Sequence, residues 1–422
     1  MASIILSFVG QQDPYSNNTD QEGSISTLTK HLLSQQYQIR RVILLHSQDL
    51  DQNAKDTKDW LHTELGLNLE AIDTILVSEE LSNDPVNLYL AVQEARKGLE
   101  QSRPFLSKQD RLEFNASSGT PVMKTAWSIL QAAGYAIHSS VWQVRNPKTM
   151  KPGQSRVFQT NVDTVKNEFD LKVLERQIQN YNYSGALVTL ETSNLLTDLI
   201  KALLEYGHYR LAFDFNRAFN AIQPVENYVD RQFIDDISQL QEKNQWVLFE
   251  EVYFKAVTKL KNQQYADFLI DVFRFQEGVL QYLVETKLGK EVTWPEDYNQ
   301  TKKFWQQVKK LEDGQLYQHI KSLNQDGSEP KGFPSRYKMT EIIKYYQKSP
   351  ELLSDLEKLN KYCQARNRIV HKFEGISELE DASKILKTMR QILQQEVKVP
   401  KENPFNLLNQ TILDLLRKSL HE

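Results

Sequence analysis

The sequence offers almost no sulfur chemistry. Cys363 is the lone cysteine in 422 residues, which excludes an internal disulfide and every multi-cysteine zinc site. Long apolar runs are missing too: none approaches the ~18 residues a membrane span needs. The opening stretch 4–9 is short, lacks a basic flank, and reads as a strand and not a signal peptide. There is no HExxH pair, no Walker A lysine and no GxGxxG fingerprint, so zinc peptidase, nucleoside triphosphatase and dehydrogenase chemistry find no support. The eight histidines are scattered. Positive charge is not in excess either. A net charge of −4 and a pI near 6.1 argue against a protein that coats nucleic acid, and no basic recognition helix suggests stable DNA binding. An enzyme that meets RNA briefly at a small basic site is still allowed. These absences lead to the expectation of a cytoplasmic protein that needs no metal and no cofactor and does not touch a membrane.

What is present is ordinary globular composition, 40% hydrophobic and 25% charged, in a chain long enough for about two domains. The first ~145 residues alternate short apolar runs with helical patterns. Strands are expected at 4–9, 41–46, 72–77, 112–115 and 137–144, with helices at 24–35, 57–65, 86–98 and 121–133 between them. Such alternation implies a parallel sheet with helices on both faces, a Rossmann-like α/β domain. A turn-rich basic segment, Asn146–Ser155, suggests a domain boundary near residue 150. Beyond it 3.6-residue periodicity takes over. Helices are expected at 171–180, 195–219, 235–262, 265–288, 340–347, 351–372, 379–396 and 405–419, and a loop at 323–336. The expected fold is therefore α/β for residues 1–150, followed by an all-α region for 151–422.

Two loops leave strands at their carboxyl ends, where open α/β sheets bind ligands. One is Gly10-Gln11-Gln12-Asp13-Pro14-Tyr15; the other is Asn115-Ala116-Ser117-Ser118-Gly119-Thr120-Pro121. In the second, Thr120 is an N-cap and Pro121 a first helical residue. Gly119 permits close backbone approach, and the helix start offers free N–H groups to an anion. Asn115, Ser117 and Ser118 add groups suited to phosphate or ribose. The alternative is a well-capped βα turn with no ligand.

In the helical region, Arg366-Asn367-Arg368-Ile369-Val370-His371 joins an arginine and a histidine at short spacing. The spacing alone is near chance, since Arg41 and His46 repeat it along an expected buried strand. Helix geometry separates the two copies. Arg366 falls on the apolar stripe of Leu352, Leu356, Leu359, Cys363 and Val370, where a lone cation must be paired, lie at an interface or line a cleft. Asn367 and His371 sit one turn apart on the stripe's flank. Arginine can hold phosphate and stabilise a pentacoordinate transition state. Histidine, with an ordinary pKa near ~6.5, can move protons to and from the 2′-hydroxyl and the leaving oxygen. Asn367 can hold phosphate or orient His371. The alternative is a structural ion pair at Arg366 and a surface cap at His371.

Taken together these features resemble the CARF–HEPN ribonucleases of type III CRISPR systems. The resemblance rests on Phe8-Val9-Gly10 with Asp13-Pro14-Tyr15, on 115–123, on Trp142-Gln143-Val144, on Tyr181–Leu187 and on Arg366-Asn367…His371, all in order along nearly the whole chain. It implies an N-terminal Rossmann-like CARF domain that binds a cyclic oligoadenylate, tetra- or hexa-adenylate, across a homodimer. The ring would rest on Gly10, Gln11, Asn115, Ser117, Ser118, Gly119, Thr120 and Gln143. It further implies a HEPN-type helical domain in which Arg366, Asn367 and His371 of two chains form one metal-independent endoribonuclease site for single-stranded RNA, in the cytoplasm of a prokaryote. Gln11-Gln12 and Val122 depart from the family's usual residues, which bears on ring size and ring cleavage. Two other functions stand beside this one: a second-messenger sensor whose helical region only dimerises, and a slow ring-degrading enzyme using Ser117, Ser118 and Thr120, for which the sequence supplies no neighbouring general base.

Overall fold

A computed structural model describes residues 2–16, 21–107, 109–136, 138–160, 162–324, 326–346, 350–362 and 375–420. Two compact units emerge: Met1–Val173 with Thr189–Leu195 and Ser419–Glu422, and Leu174–Val188 with Leu196–Lys418.

The first unit is built on a six-stranded sheet. Its strands are β1 (Ala2–Phe8), β4 (Gln38–His46), β5 (Ile72–Leu76), β6 (Arg111–Asn115), β7 (Ser139–Val144) and β8 (Val157–Thr160), with β2 (Tyr15–Ser16) and β3 (Gln21–Glu22) forming a small separate hairpin. The sheet order is β5-β4-β1-β6-β7-β8. All neighbours run parallel except β7 and β8, where Val141 faces Thr160 and Val144 faces Val157. Seven consecutive residues of β1 are buried, as expected of a strand covered on both faces. Alternate residues feed opposite cores. Ile4, Leu6 and Phe8 join Phe114, Trp127 and Leu130, whereas Ile5 and Val9 join Ile25, Leu28 and Leu32. The helix Ser24–Ser34 thus covers one face and the helix Pro121–Ala132 the other. The chain leaves β1 towards β4 on one side and reaches β6 on the other, so the topological switch lies between the carboxyl ends of β1 and β6.

The five expected strands are all present, within a few residues at their ends. The sheet, however, continues past the turn-rich segment into β8. The copy at Arg41 and His46 is structural: Val42–Leu45 are buried, Arg41 forms a two-pronged ion pair with Asp73, and its guanidinium lies 3.7 Å from the centre of the Phe105 ring.

The second unit is helical, but two of the long expected helices are each divided. The expected span 195–219 becomes Asp198–Leu211 and Phe215–Ile222; the expected span 235–262 becomes Arg231–Gln241 and Gln245–Lys261. At each division one residue takes a left-handed conformation, Phe213 at φ 62° and Lys243 at φ 56°. The next residue then caps a new helix: Asp214 accepts from the Arg217 N–H at 3.1 Å and Asn244 from the Trp246 N–H at 3.0 Å. The core of this unit holds a buried cation. Arg210, 4% exposed, grips Glu251 with two bonds of 2.8 and 2.9 Å and donates to Tyr206 at 2.6 Å. Burial pushes the Tyr206 hydroxyl up to about 12. The Tyr181–Leu187 string docks on the last helix, Pro404–Ser419: Tyr181 donates to Asn406 at 2.6 Å and Tyr183 to Asn409 at 2.7 Å.

Candidate functional site

At the switch between β1 and β6 the two expected loops line one cavity of about 510 Å³, with Gly10, Gln11, Ser117, Ser118, Gly119 and Thr120 in its wall. Asn115 and Gln143 are not in that wall. Asn115 is fully buried. Its amide donates to Ser7 at 3.0 Å and to Ser24 at 3.2 Å, and its oxygen accepts the Ser117 N–H at 3.1 Å, so it shapes the loop from beneath. Gln143 sits on β7 opposite Phe158 of the antiparallel edge strand.

Much of the loop's polarity is spent on holding itself. Ser117 Oγ accepts from the Val144 N–H at 2.6 Å. Thr120 Oγ1 donates to the Pro85 carbonyl at 2.7 Å and caps the helix that begins at Pro121. Gly119 is required by its backbone: at φ +86° a side chain is strained, and an added Cβ would meet Met123 Sδ at 3.0 Å and Phe8 Cβ at 3.1 Å. Gly10 lies so close to the second loop that a Cβ there would meet Ser118 Oγ at 2.9 Å.

The organising residue is one that the sequence placed in the first loop without a role. Asp13 is 2% exposed, and its carboxylate accepts from the Gly10 N–H at 3.0 Å, the Ile25 N–H at 3.2 Å and the Ser118 hydroxyl. Burial raises its pKa, and these hydrogen bonds oppose the rise. Asp13 also puts a carboxylate beside Ser118, where the sequence suggested no general base. Lys124 is the other newcomer. It stands one turn into the capped helix, lines the cavity, and has no ion pair among the described residues. Asp49 lines the same wall. The result is a cradle of glycine backbone, hydroxyls, a helix start, one lysine and the carboxylates of Asp13 and Asp49; its helix start and lysine can meet a phosphate.

Arg366, Asn367 and His371 lie outside the described residues, as do Cys363 and Val370. Their approaches are described. Leu352, Leu356 and Leu359 are buried as the stripe requires, but the expected helix 351–372 is interrupted: Pro350–Lys358 is helical, Leu359 is a turn, and residues 360–362 are helical again up to the edge of the described residues. The cause is visible at Leu356, whose carbonyl accepts both the Leu359 N–H at 3.2 Å and the side-chain amide of buried Gln276 at 2.6 Å. Gln276 also donates to Asn360 Oδ1 at 2.9 Å and accepts from Arg336 at 3.2 Å. On the far side of the undescribed stretch, Asp381 accepts from Lys384 at 2.9 Å, Lys361 at 2.9 Å and Tyr362 at 3.0 Å, which holds its carboxyl well below the usual range. Among the described residues, no group of three or more His, Cys, Asp or Glu is arranged to hold a metal, and no helix is long and apolar enough to cross a membrane.

The chain thus combines a Rossmann-like α/β unit with a helical unit. The helical part is assigned more narrowly: residues 237–413 match the family model for the CRISPR-associated Csm6 HEPN domain. The whole chain has the fold of a solved structure, Enterococcus italicus Csm6 bound to cyclic hexa-2′-fluoro-hexa-dAMP, with a TM-score of 0.66, 16% identity, and coverage of 98% of this chain and 99% of that one. No curated protein sequence matches the chain. The CARF–HEPN resemblance drawn from the sequence is borne out by the family match and by the shared fold.

Proposed function

We propose that this chain is a cyclic oligoadenylate-activated, metal-independent endoribonuclease of CRISPR antiviral defence. The observation that carries the reading is that the Csm6 HEPN match, 237–413, spans Arg366, Asn367 and His371, the residues with the chemistry for RNA cleavage. His371 would take the proton from a ribose 2′-hydroxyl as that oxygen attacks phosphorus. Arg366 would stabilise the added charge, and the departing 5′-oxygen would take its proton from an imidazolium of the composite site, producing a 2′,3′-cyclic phosphate. Asn367 would hold the phosphate or orient the imidazole. Because each chain brings one cation and one imidazole, two chains would build the site about a two-fold axis.

The activator would sit at the cavity lined by Gly10, Gln11 and 117–120, with Lys124 meeting a phosphate. A cavity of about 510 Å³ suits a nucleotide or two and not a whole ring, which supports a ring shared between two chains. The related Csm6 of Enterococcus italicus holds a six-membered ring analogue, so cyclic hexa-adenylate is tested beside cyclic tetra-adenylate. Ring binding would act by favouring the active arrangement of the dimer. The ring-degrading alternative gains a carboxylate in Asp13, but that carboxylate already accepts three hydrogen bonds and is poorly placed to take a further proton. Cleavage of a fluorogenic single-stranded RNA in excess chelator, with each ring in turn, tests the proposal. Ring-dependent cleavage with 2′,3′-cyclic phosphate ends is expected; cleavage only after divalent metal is restored would overturn the mechanism.

A further inference from the structure

The helical unit carries a cleft lined by residues outside the Arg366–His371 string. Residues Lys302, Trp305, Gln306 and Lys309 follow i, i+3, i+4, i+7 spacing on the helix Thr301–Val308 and the residue after it, so they share one face, and this face lines a cavity of about 540 Å³. Trp305 is 3% exposed and donates its indole N–H to the Gly332 carbonyl at 2.8 Å, which fixes the opposite loop and sets Lys331 across the cleft. Tyr298 stands at the rim, 69% exposed. Lys309 lies 5.3 Å from the centre of the Tyr317 ring.

The charges here are only partly met locally: Lys331 helps to lower the nearby Asp326 carboxyl and Lys309 faces the Tyr317 ring. Lys302, Lys309 and Lys331 form no ion pair among the described residues. The wall holds these three lysines against the single acid Glu329, a surplus of two positive charges in a chain whose net charge is −4. An exposed aromatic face set among lysines without ion-pair partners is the pairing that single-stranded nucleic acid requires: a base stacks on the ring and neighbouring phosphates meet the lysines. An acidic peptide would use the lysines but leave Tyr298 without a role.

We propose that this cleft binds single-stranded RNA as a guiding site built from residues other than the Arg366–His371 string. That the strand is RNA rests on the ribonuclease reading; the binding itself does not. The test is fluorescence anisotropy of a labelled 12-nucleotide single-stranded RNA on the full chain carrying His371→Ala to prevent cleavage. Adding Tyr298→Ala should weaken binding about tenfold, through the loss of one base stacked on one aromatic ring. Lys302→Ala with Lys331→Ala should weaken it similarly and flatten the salt dependence, by roughly 0.7 in log–log slope for each phosphate no longer neutralised. Melting curves confirm folding, and Tyr298, being exposed, is a safe site to change. RNA affinities within twofold of the parent for both variants would overturn the proposal. So would equal displacement of the RNA by a poly-glutamate peptide from parent and Tyr298→Ala alike. If no ring elicits RNA cleavage from the unmodified chain, the ribonuclease reading fails while this binding result stands on its own.

Discussion

The Ser118 hydroxyl donates to the buried carboxylate of Asp13, a residue 105 positions earlier in the chain. This bond ties the loop after β1 to the loop after β6 across the topological switch, and the same carboxylate takes the Gly10 and Ile25 N–H groups. The cradle is thus one hydrogen-bonded body whose two halves come from opposite sides of the sheet. Asp13→Ala would leave two buried N–H groups and a hydroxyl without their acceptor, which costs about 1–3 kcal/mol. We expect a lower melting temperature, together with weaker ring binding by calorimetry. An unchanged melt would show that water or a shifted loop replaces the carboxylate.

Lys124 is the cation of the cradle. On the proposed function, Lys124→Ala should raise the ring concentration needed for half-maximal activation about tenfold, leaving the rate at saturating ring unchanged, because the side chain would meet the activator and not the RNA. Its effect should shrink as salt rises. A lowered maximal rate with an unchanged midpoint would place Lys124 outside the ligand's reach.

Glu250 gives a prediction in pH. Burial, with Glu251 and Asp236 adding like charge, raises its carboxyl to about 7. Between the ordinary value near ~4.5 and about 7 the native chain therefore holds a proton that the unfolded chain has released. Stability falls as pH rises through that window. Glu250→Gln should remove this fall, so its melting temperature should gain on the parent's from pH 5 to pH 8. Parallel melting curves for the two proteins across that range would refute the assignment.

The sheet was legible because its strands are uninterrupted apolar runs. Val157–Thr160 escaped because an antiparallel edge strand needs only a short alternating stretch and here follows a turn-rich loop. The cradle loops were legible from Gly119, Thr120 and Pro121, whose backbone requirements are local. Asp13 was not, because its partners are brought to it by the fold, and an acid before proline otherwise reads as a turn. Lys124 looked like any surface charge on a helix. In the helical unit, the divisions at Phe213 and Lys243 carry no glycine to announce a left-handed residue, although Asp214 and Asn244 were available as cap signals. The break at Leu359 depends on Gln276, about 80 residues from Leu356, whose amide competes for the Leu356 carbonyl.

The central claim is that a ring in the N-terminal cradle switches on RNA cleavage at Arg366 and His371. It is tested most directly by titrating cyclic tetra- and hexa-adenylate into the chain and into His371→Ala while measuring ring binding and single-stranded RNA cleavage together. The account predicts that one ring binds both proteins with the same affinity, accelerates cleavage by the parent at least a hundredfold, and leaves His371→Ala inactive. Cleavage by His371→Ala at the parental rate, or a parental rate indifferent to a bound ring, would contradict it.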